Sequence, residues 1–183
     1  MIRRIVPVVL ICLLLLCGCA GQADPSAGEP AGPTVEPTAE IVETPAGPSC
    51  TISIRCDTLL DHLDELSLGV AALVPEDGCL LPETVVELTE NDSVFTVLQR
   101  VVESNHLHME FSTSPMYDSK YIEGLCNLYE MDAGPLSGWT YKVNEVFPSY
   151  GVSQHTVSDG DVIYLLYTCD LGVDVGDNRG AGQ

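Results

Sequence analysis

Basic residues are scarce in this 183-residue sequence. Seven Lys and Arg stand against 27 Asp and Glu, which gives a formal net charge of −20 at pH 7. An acidic surface of this size repels phosphate backbones and anionic lipid headgroups. Nucleic-acid binding is therefore excluded, and we expect membrane contact through acyl chains alone. Most of the acids are interpreted as a solvated surface, with binding of a cation or a basic partner as the alternative.

Motifs of catalysis and of structural metal sites are also missing. The chain has no Gly-x-Ser-x-Gly elbow, and none of its four His residues stands in a motif that pairs a nucleophile with a base. Cys-x₂-Cys pairs, which zinc sites use, are absent. His106 and His108 would share one side of a strand, but solvent-facing positions explain them better than metal ligands do. We therefore expect no enzyme, no catalytic residue, no metal and no cofactor.

The only long apolar run lies at the amino terminus. Arg3 and Arg4 precede an apolar stretch at residues 5–16, which is too short for a membrane-spanning helix of ~20 residues. This order of a basic and an apolar region, followed by small residues, predicts a signal peptide at residues 1–18. An ordinary secretory peptide cut nearby and a single membrane span are the alternatives.

Leu16-Cys17-Gly18-Cys19 resembles the lipobox of bacterial lipoproteins. The resemblance implies cleavage after Gly18 and attachment of diacylglycerol and further acyl chains, such as palmitate, at Cys19. Two or three acyl chains make a stable anchor. The sequence thus predicts a lipoprotein anchored to the extracytoplasmic side of the cell membrane. Its mature charge would be −22, because five basic residues remain against the 27 acids.

Residues 19–48 begin with the lipidated Cys and continue as a tether rich in Pro, Glu and Thr. The segment contains few large apolar side chains, so it cannot bury enough surface to offset its ordering entropy. Proline and like charge extend such a chain. We expect a disordered tether that lifts the following domain clear of the bilayer.

Residues 49–176 are predicted to form one α+β domain, and residues 177–183 a flexible tail. The apolar face of the helix at 94–105 and its Ser93 cap make it the best defined element. Strands are predicted at 51–56, 83–88, 106–112, 139–143, 146–147 and 162–168, with a further helix or helical turn at 59–73. This order fits a β-grasp-like mixed sheet packed on one main helix, in which the first and last strands are parallel neighbours. The order alone does not separate this fold from other α+β sandwiches.

Several motifs resemble the transcobalamin-like C-terminal domain family, largely catalogued as a domain of unknown function on bacterial surface proteins. They are Tyr121-Ile122-Glu123-Gly124, Ser137-Gly138-Trp139-Thr140-Tyr141-Lys142-Val143-Asn144, Phe147-Pro148, Tyr150-Gly151 and Asp159-Gly160-Asp161-Val162-Ile163. The resemblance implies a β-grasp-like fold over about residues 50–176. It also raises a corrinoid as a ligand, although the large helical domain of the cobalamin carriers is missing. Asn144-Glu145 replaces the family's Asn-Gly turn, so we expect strain or another turn type there.

Aromatic residues concentrate around the predicted hairpin. They are Tyr117, Tyr121, Tyr129, Trp139, Tyr141, Phe147 and Tyr150. Trp139 and Tyr141 alternate on a strand and so share one face. This face is either packed in the core or exposed as a platform for a planar or apolar ligand. In transcobalamin the matching hairpin region faces the ligand. The predicted ligand-binding residues are Tyr121, Trp139, Tyr141, Asn144, Phe147 and Tyr150.

Export makes disulfides plausible for the five remaining cysteines. In a β-grasp arrangement, Cys56 closes the first strand and Cys169 the last, so their pairing is predicted first. Cys79–Cys126 is predicted second, which leaves Cys50 free. An odd cysteine count leaves one thiol unpaired in any case.

Together these features predict a cell-surface lipoprotein with a non-enzymatic binding module. Its partners would be the membrane, through the lipid, and a small molecule or surface ligand. The alternative is a structural or assembly module that recognises another envelope protein or adhesin, and neither reading involves nucleic acid.

Overall fold

The computed structural model describes residues 46–116 and 118–180, which form a mixed α+β domain. Its larger sheet has four strands: β1 (Ser49–Arg55), β2 (Cys79–Glu87), β6 (Gly138–Val143) and β7 (Val162–Thr168), in the order β2-β1-β7-β6. A second sheet contains β3 (Met109–Ser114), β4 (Ser119–Leu125) and β5 (Leu128–Tyr129), in that order. The predicted α+β class is confirmed, but the strands form two sheets.

The first and last strands are parallel neighbours at the centre of the larger sheet, as predicted. Thr51 pairs with Val162, and the register continues to Arg55 and Leu166. Alternation puts Ile52 and Ile54 on the core side, and both are fully buried. β2 and β6 flank this pair in antiparallel orientation.

The main helix, α2 (Val94–Ser104), follows a short helix, α1 (Leu68–Ala71), and covers the core. Its buried face comprises Val94, Phe95, Val97, Leu98, Val101 and Val102. Ser93 caps it, because its hydroxyl accepts from the Thr96 N–H while the Thr96 hydroxyl accepts from the Ser93 N–H. The helix therefore begins where the sequence predicted.

Asp92, just before this helix, is 5% exposed and accepts four hydrogen bonds. The donors are the backbone N–H and the hydroxyl of Thr89, the hydroxyl of Thr96, and the guanidinium of Arg100 at 2.6 Å. Burial alone would raise the pKa of Asp92, but these bonds outweigh it and lower the pKa. The carboxylate thus ties the turn before α2 to the helix itself.

The segment predicted as a helix or helical turn at 59–73 does not form one continuous helix. The segment forms a 3₁₀ turn at Asp57–Asp61 and the four-residue α1 (Leu68–Ala71), with turns between them. Leu59, Leu66 and Leu73 pack in a small second core around Cys56 and Tyr167, whereas Leu63 and Leu68 are exposed. Short turns satisfy this packing, so the helix-like leucine spacing does not reflect a continuous helix.

The hairpin turn after β6 keeps the geometry that the family's Asn-Gly would adopt. Asn144 has φ 49° and Glu145 has φ 67°. The Asn144 side chain donates to Asp161 at 2.6 Å and accepts from the Val162 N–H, and Lys142 pairs with Glu145 at 2.7 Å. These contacts offset the strain of a left-handed Glu. The second hairpin strand predicted at 146–147 is reduced to one bridge, between Val143 and Val146.

The start of the predicted tail is tied to the domain. Asp177 is 6% exposed and accepts from the Arg179 side chain, which also donates to the Pro148 carbonyl and lies over the Phe147 ring. Residues 1–45, which include the predicted signal peptide, Cys19 and most of the tether, lie outside the described part of the chain. Within the described part, no helix has the length and apolarity needed to cross a bilayer.

Candidate functional site

A cleft of about 720 Å³ lies between β4 and β6. We call it the edge cleft, because each of these strands has an edge that pairs with no other strand there. β6 is the last strand of its sheet, and β5 covers β4 only at Gly124 and Leu125. The lining residues are Ser112, Ser114, Ser119, Lys120, Tyr121, Ile122, Trp139, Thr140, Tyr141, Pro148, Ser149, Tyr150, Gly151, Val152, Gln154, Leu165 and Arg179.

Trp139 and Tyr141 form the aromatic wall that β6 contributes. The Trp139 indole N–H donates to the Leu128 carbonyl at 2.9 Å, and its ring meets Tyr167 edge-on at 5.3 Å. The Tyr141 hydroxyl donates to the Tyr150 carbonyl at 2.8 Å. Because their polar atoms are engaged in the protein, these rings offer apolar surface to the cleft. Their orientation is fixed before any ligand arrives.

Tyr121 and Tyr150 stand at the rim and are 45% and 47% exposed. The Tyr121 hydroxyl donates to Glu130 at 2.5 Å, and desolvation together with this bond raises its pKa to about 12. The Tyr150 ring stacks on His155 at 5.6 Å. Both rim tyrosines are therefore held by neighbours while much of each side chain remains open to solvent.

The loop from Pro148 to Gln154 closes one end of the cleft against β4. Gly151 lies so close to this strand that a Cβ atom would come within 1.7 Å of the Ser119 hydroxyl and 3.1 Å of the Lys120 carbonyl, so a larger residue would displace Ser119 or the loop. The Ser153 hydroxyl accepts from the Lys120 N–H at 2.9 Å. These two contacts fix the loop on the amino-terminal end of β4.

The lining offers hydroxyl, amide and aromatic groups. Among the described residues, no carboxylate, imidazole or thiol lines the cleft. The cationic side chains are Lys120 and Arg179. The Lys120 ammonium donates to Thr113 and lies 5.4 Å from the Phe111 ring, and the Arg179 guanidinium is held by Asp177. The described lining therefore offers polar and aromatic groups that could contact and orient a ligand.

The structure brings together four of the six predicted ligand-binding residues: Tyr121, Trp139, Tyr141 and Tyr150. Asn144 instead stabilises the hairpin turn, and Phe147 reaches the cleft only through Arg179, which lies over its ring. Tyr117 lies outside the described residues. Sequence reasoning missed Ile122, Leu165 and Arg179. The first two read as ordinary core residues, and the third lies in a Gly-rich segment.

His106 and His108 do not share one side of a strand. His106 has φ 55° and lies in the turn before β3, so it does not continue the strand as predicted. His108 accepts from the Asn127 N–H at 3.3 Å and lies 3.0 Å from the Tyr129 hydroxyl, which donates to Glu110 at 2.9 Å. Within the described residues, no group of three or more His, Cys, Asp and Glu side chains could hold a metal ion.

All five cysteines of the domain are free thiols in this structure. Burial raises the pKa of Cys56 to about 12 and that of Cys126 to about 11. Cys126 and Cys79 are among the neighbours whose charge acts on Cys56, whereas Cys169 is near Thr58 and Asp174. The pairings Cys56–Cys169 and Cys79–Cys126 stay predictions.

Residues 91–168 match the model of a family described as a domain of unknown function (DUF4430). The match covers the helix, the second sheet, the edge cleft except Arg179, and the last strand. It confirms the predicted family resemblance over these residues. The comparison with curated proteins gives no match.

Two solved structures are similar to parts of the chain. Haptocorrin in complex with Cbi is 14% identical, with a TM-score of 0.48; the similarity covers 67% of this chain and 25% of that one, so the chain spans about a quarter of haptocorrin. A protein of Ruminococcus gnavus ATCC 29149, provisionally named a metal binding protein, is 17% identical with a TM-score of 0.39. That similarity covers 66% of this chain and 96% of the other.

Proposed function

We propose, from the family match and the edge cleft, that this chain is a non-enzymatic binding protein of the cell surface. The single observation that carries the proposal is the cleft, where Tyr121, Trp139, Tyr141 and Tyr150 meet in one open cavity. Its volume of about 720 Å³ falls in the range of small-molecule sites. Aromatic walls with a few polar groups are typical of small-molecule sites.

A corrinoid is one candidate ligand, since haptocorrin is solved with Cbi. A peptide or another apolar, planar molecule fits the same walls. The lining supports binding of either kind, because its hydroxyl and amide groups can orient a ligand while its rings supply apolar contact. Recognition of another envelope protein is the second candidate, and the unpaired strand edges favour it.

Trp139 provides a direct test, because it is the only Trp in the chain and lines the cleft. We expect its fluorescence to change saturably when the purified chain is titrated with a ligand of the right class. The probes are cobinamide, a set of aromatic acids, glycans and short peptides. Tyr150→Ala, at the rim, should weaken binding roughly tenfold, as loss of a buried aromatic contact does.

Tyr164→Ala is the matched control. Tyr164 is a partly exposed tyrosine of β7 outside the cleft lining, with Lys142 over its ring. The Tyr164→Ala substitution should leave the ligand titration of Trp139 fluorescence unchanged. A specific site should bind its ligand with a dissociation constant below about 1 mM. If no class of probe changes the Trp139 fluorescence at concentrations up to that value, ligand capture in the cleft is refuted.

The cell-surface part of the proposal rests on Cys19 and the tether. We propose that Cys19 carries the lipid and that residues 19–48 hold the domain outside the membrane. The resemblance of residues 16–19 to a lipobox supports this, and a chain of net charge −20 would not bind anionic headgroups by charge. Mass spectrometry of the native protein should show an amino-terminal peptide that begins at Cys19 and carries acyl mass. A native protein that retains residues 1–18 would contradict the lipid anchor at Cys19. The Cys19→Ser variant should be released from membranes.

A further inference from the structure

We infer that a second surface of the domain, formed by the loop before β6 and the loop after β7, docks a partner protein whose contact surface has Lys or Arg around an apolar centre. The exposed apolar residues of this surface are Met131, Leu136, Leu171 and Val173, which together we call the loop patch. None of them lines the edge cleft, so this inference goes beyond the proposed function.

A hydrogen bond joins the two loops, so their apolar side chains adjoin. The Leu171 N–H donates to the Leu136 carbonyl at 2.9 Å, and the Met131 N–H donates to the Ser137 carbonyl at 3.0 Å. Met131 is 65% exposed and Leu171 is 70% exposed. None of the four residues of the loop patch packs in either hydrophobic core of the described domain. Adjoining exposed apolar residues of this kind mark interaction sites.

The backbone is strained at the two most exposed residues of the patch. Met131 has φ 67° and Leu171 has φ 48°, a region that bulky side chains rarely adopt. Polar neighbours hold both loops: Asp132 accepts from a backbone N–H at 2.8 Å, the Ser137 hydroxyl donates to a backbone carbonyl at 2.8 Å, and the Thr168 hydroxyl accepts from a backbone N–H at 2.7 Å. These bonds do not require an apolar side chain at either strained position. Strained and exposed large residues therefore indicate a function that needs them.

The loop patch lies at the end of the domain opposite to the tether. β1 begins at Ser49, directly after the predicted tether, and runs parallel to β7, which ends at Thr168. Gly138, the first residue of β6, pairs with Thr168, so both loops leave the sheet at the same end. The seven residues of β1 separate this end from Ser49 by ~20 Å. The patch is thus remote from the point where the tether joins the domain, which favours a protein over a lipid surface as its occupant.

The charge of the two loops selects the kind of protein. Residues 130–137 and 169–176 contain no Lys or Arg, and their acids are Glu130, Asp132, Asp170 and Asp174. None of these acids forms an ion pair with a described residue. An apolar surface among unpaired acids attracts a partner with basic residues around an apolar centre.

The cations that lie closest along the chain are neutralised within the domain. Arg55, at the end of β1, pairs with Asp57, and Arg179 pairs with the buried Asp177. A second copy of this chain would bring the same acids against each other in a two-fold contact. Repulsion of like charges therefore disfavours self-association through the loop patch.

The first experiment identifies the partner by photo-cross-linking in native cells. The full chain carries p-benzoylphenylalanine at Leu171 or, as the matched control, at Val146, which is 64% exposed in the hairpin at the opposite end of β6. We expect a discrete adduct with a second protein from Leu171 and none from Val146. Mass spectrometry should place the cross-link in a segment with Lys or Arg beside apolar residues. No adduct, or an adduct with lipid, with an acidic segment or with a second copy of the chain, would overturn the inference.

The second experiment measures binding of the cross-linked protein to the purified full chain. Because Asn adopts a positive φ more readily than Leu, Leu171→Asn should keep or raise the melting temperature. It should still weaken binding at least tenfold, as loss of an interface anchor does, whereas Val146→Asn should not change the affinity. Equal affinities of the two variants would refute the loop patch as the docking surface. A lower melting temperature of Leu171→Asn would assign Leu171 a structural role and also overturn the inference.

Asp170→Asn tests the electrostatic part of the inference. Asp170 is exposed beside Leu171, and Glu103→Gln, at an exposed position of α2, is the matched control. Asp170→Asn should slow association several-fold at low salt, and the difference should vanish near ~1 M salt, where charges are screened within ~3 Å. An association rate that falls equally in both variants, or in neither, would contradict a basic partner at the loop patch.

The Trp139 titration separates this inference from the proposed function. Leu171→Asn should leave the response of Trp139 to ligands of the edge cleft unchanged, because the loop patch does not line that cleft. If the cleft binds no probe while the cross-linked protein still depends on Leu171, ligand capture fails and this inference stands. If Leu171→Asn abolishes both responses, the two surfaces act as one site and the inference fails.

Discussion

Replacement of Asp92 by alanine is expected to destabilise the domain by about 3 kcal/mol. The side chain is 5% exposed and joins the Thr89 turn to α2 through Thr96 and Arg100. Its removal breaks a network of four part-buried hydrogen bonds, one of them from a guanidinium, which is among the costly kinds of single substitution. Urea denaturation followed by circular dichroism measures the change. Glu90→Ala, at an exposed position two residues away, should change stability by less than about 0.5 kcal/mol.

The same carboxylate predicts the direction of the pH dependence. Hydrogen bonds lower the pKa of Asp92 in the folded chain from its ordinary value of 3.8, against the effect of burial. A group with a lowered folded-state pKa contributes stability that is complete above its unfolded value. This contribution should therefore be lost as the pH falls below 3.8. The acid-induced loss of stability should be smaller in the Asp92→Ala variant than in the native chain; an equal loss in both would contradict this role.

The central part of the fold could be predicted because its signals are local. Ile52 and Ile54 alternate with polar residues, which defines both the strand and its buried face. Ser93 and the apolar spacing that follows it define α2 and its start. The parallel pairing of β1 with β7 is not local, and it was predicted through the β-grasp arrangement, which the family resemblance also implies.

The edge cleft could be predicted only in part. Aromatic density and strand alternation found Trp139 and Tyr141, but they could not decide between core and ligand surface. The cleft exists because β5 ends after two residues. This end depends on the turn in which the Tyr129 N–H donates to Asp132, and the sequence pattern does not predict that contact. Arg179 was missed for a similar reason: a Gly-rich composition predicts flexibility, and its bonds to Asp177 and Pro148 are set by the folded surface.

Tyr167 connects the stability of the domain to the shape of its cleft. It is 1% exposed and lies in the second core beside Cys56 and Leu59. Its hydroxyl donates to the Tyr129 carbonyl at 2.7 Å and lies 3.1 Å from the Ser137 hydroxyl. Its ring meets Trp139 edge-on. The residue therefore supports the cleft wall from behind without lining the cleft.

Tyr167→Ala is expected to cost about 4 kcal/mol, because a large buried ring leaves a cavity that the surrounding strands cannot fill. Tyr167→Phe should cost about 1–2 kcal/mol, since it removes only the hydroxyl and leaves the Tyr129 carbonyl without this donor. Tyr164→Phe, on the same strand and partly exposed, is the control and should be nearly neutral. Denaturant unfolding measures all three variants.

The Trp139 emission of the folded Tyr167 variants gives a second measurement. Loss of the ring should expose the indole and move its emission to longer wavelength, whereas loss of the hydroxyl alone should leave it in place. A Tyr167→Phe variant that keeps both its emission and its ligand titration would show that packing of the ring, rather than its hydrogen bonds, holds the aromatic wall. If Tyr167→Ala left the emission unchanged, Trp139 would be positioned by its bond to Leu128 alone.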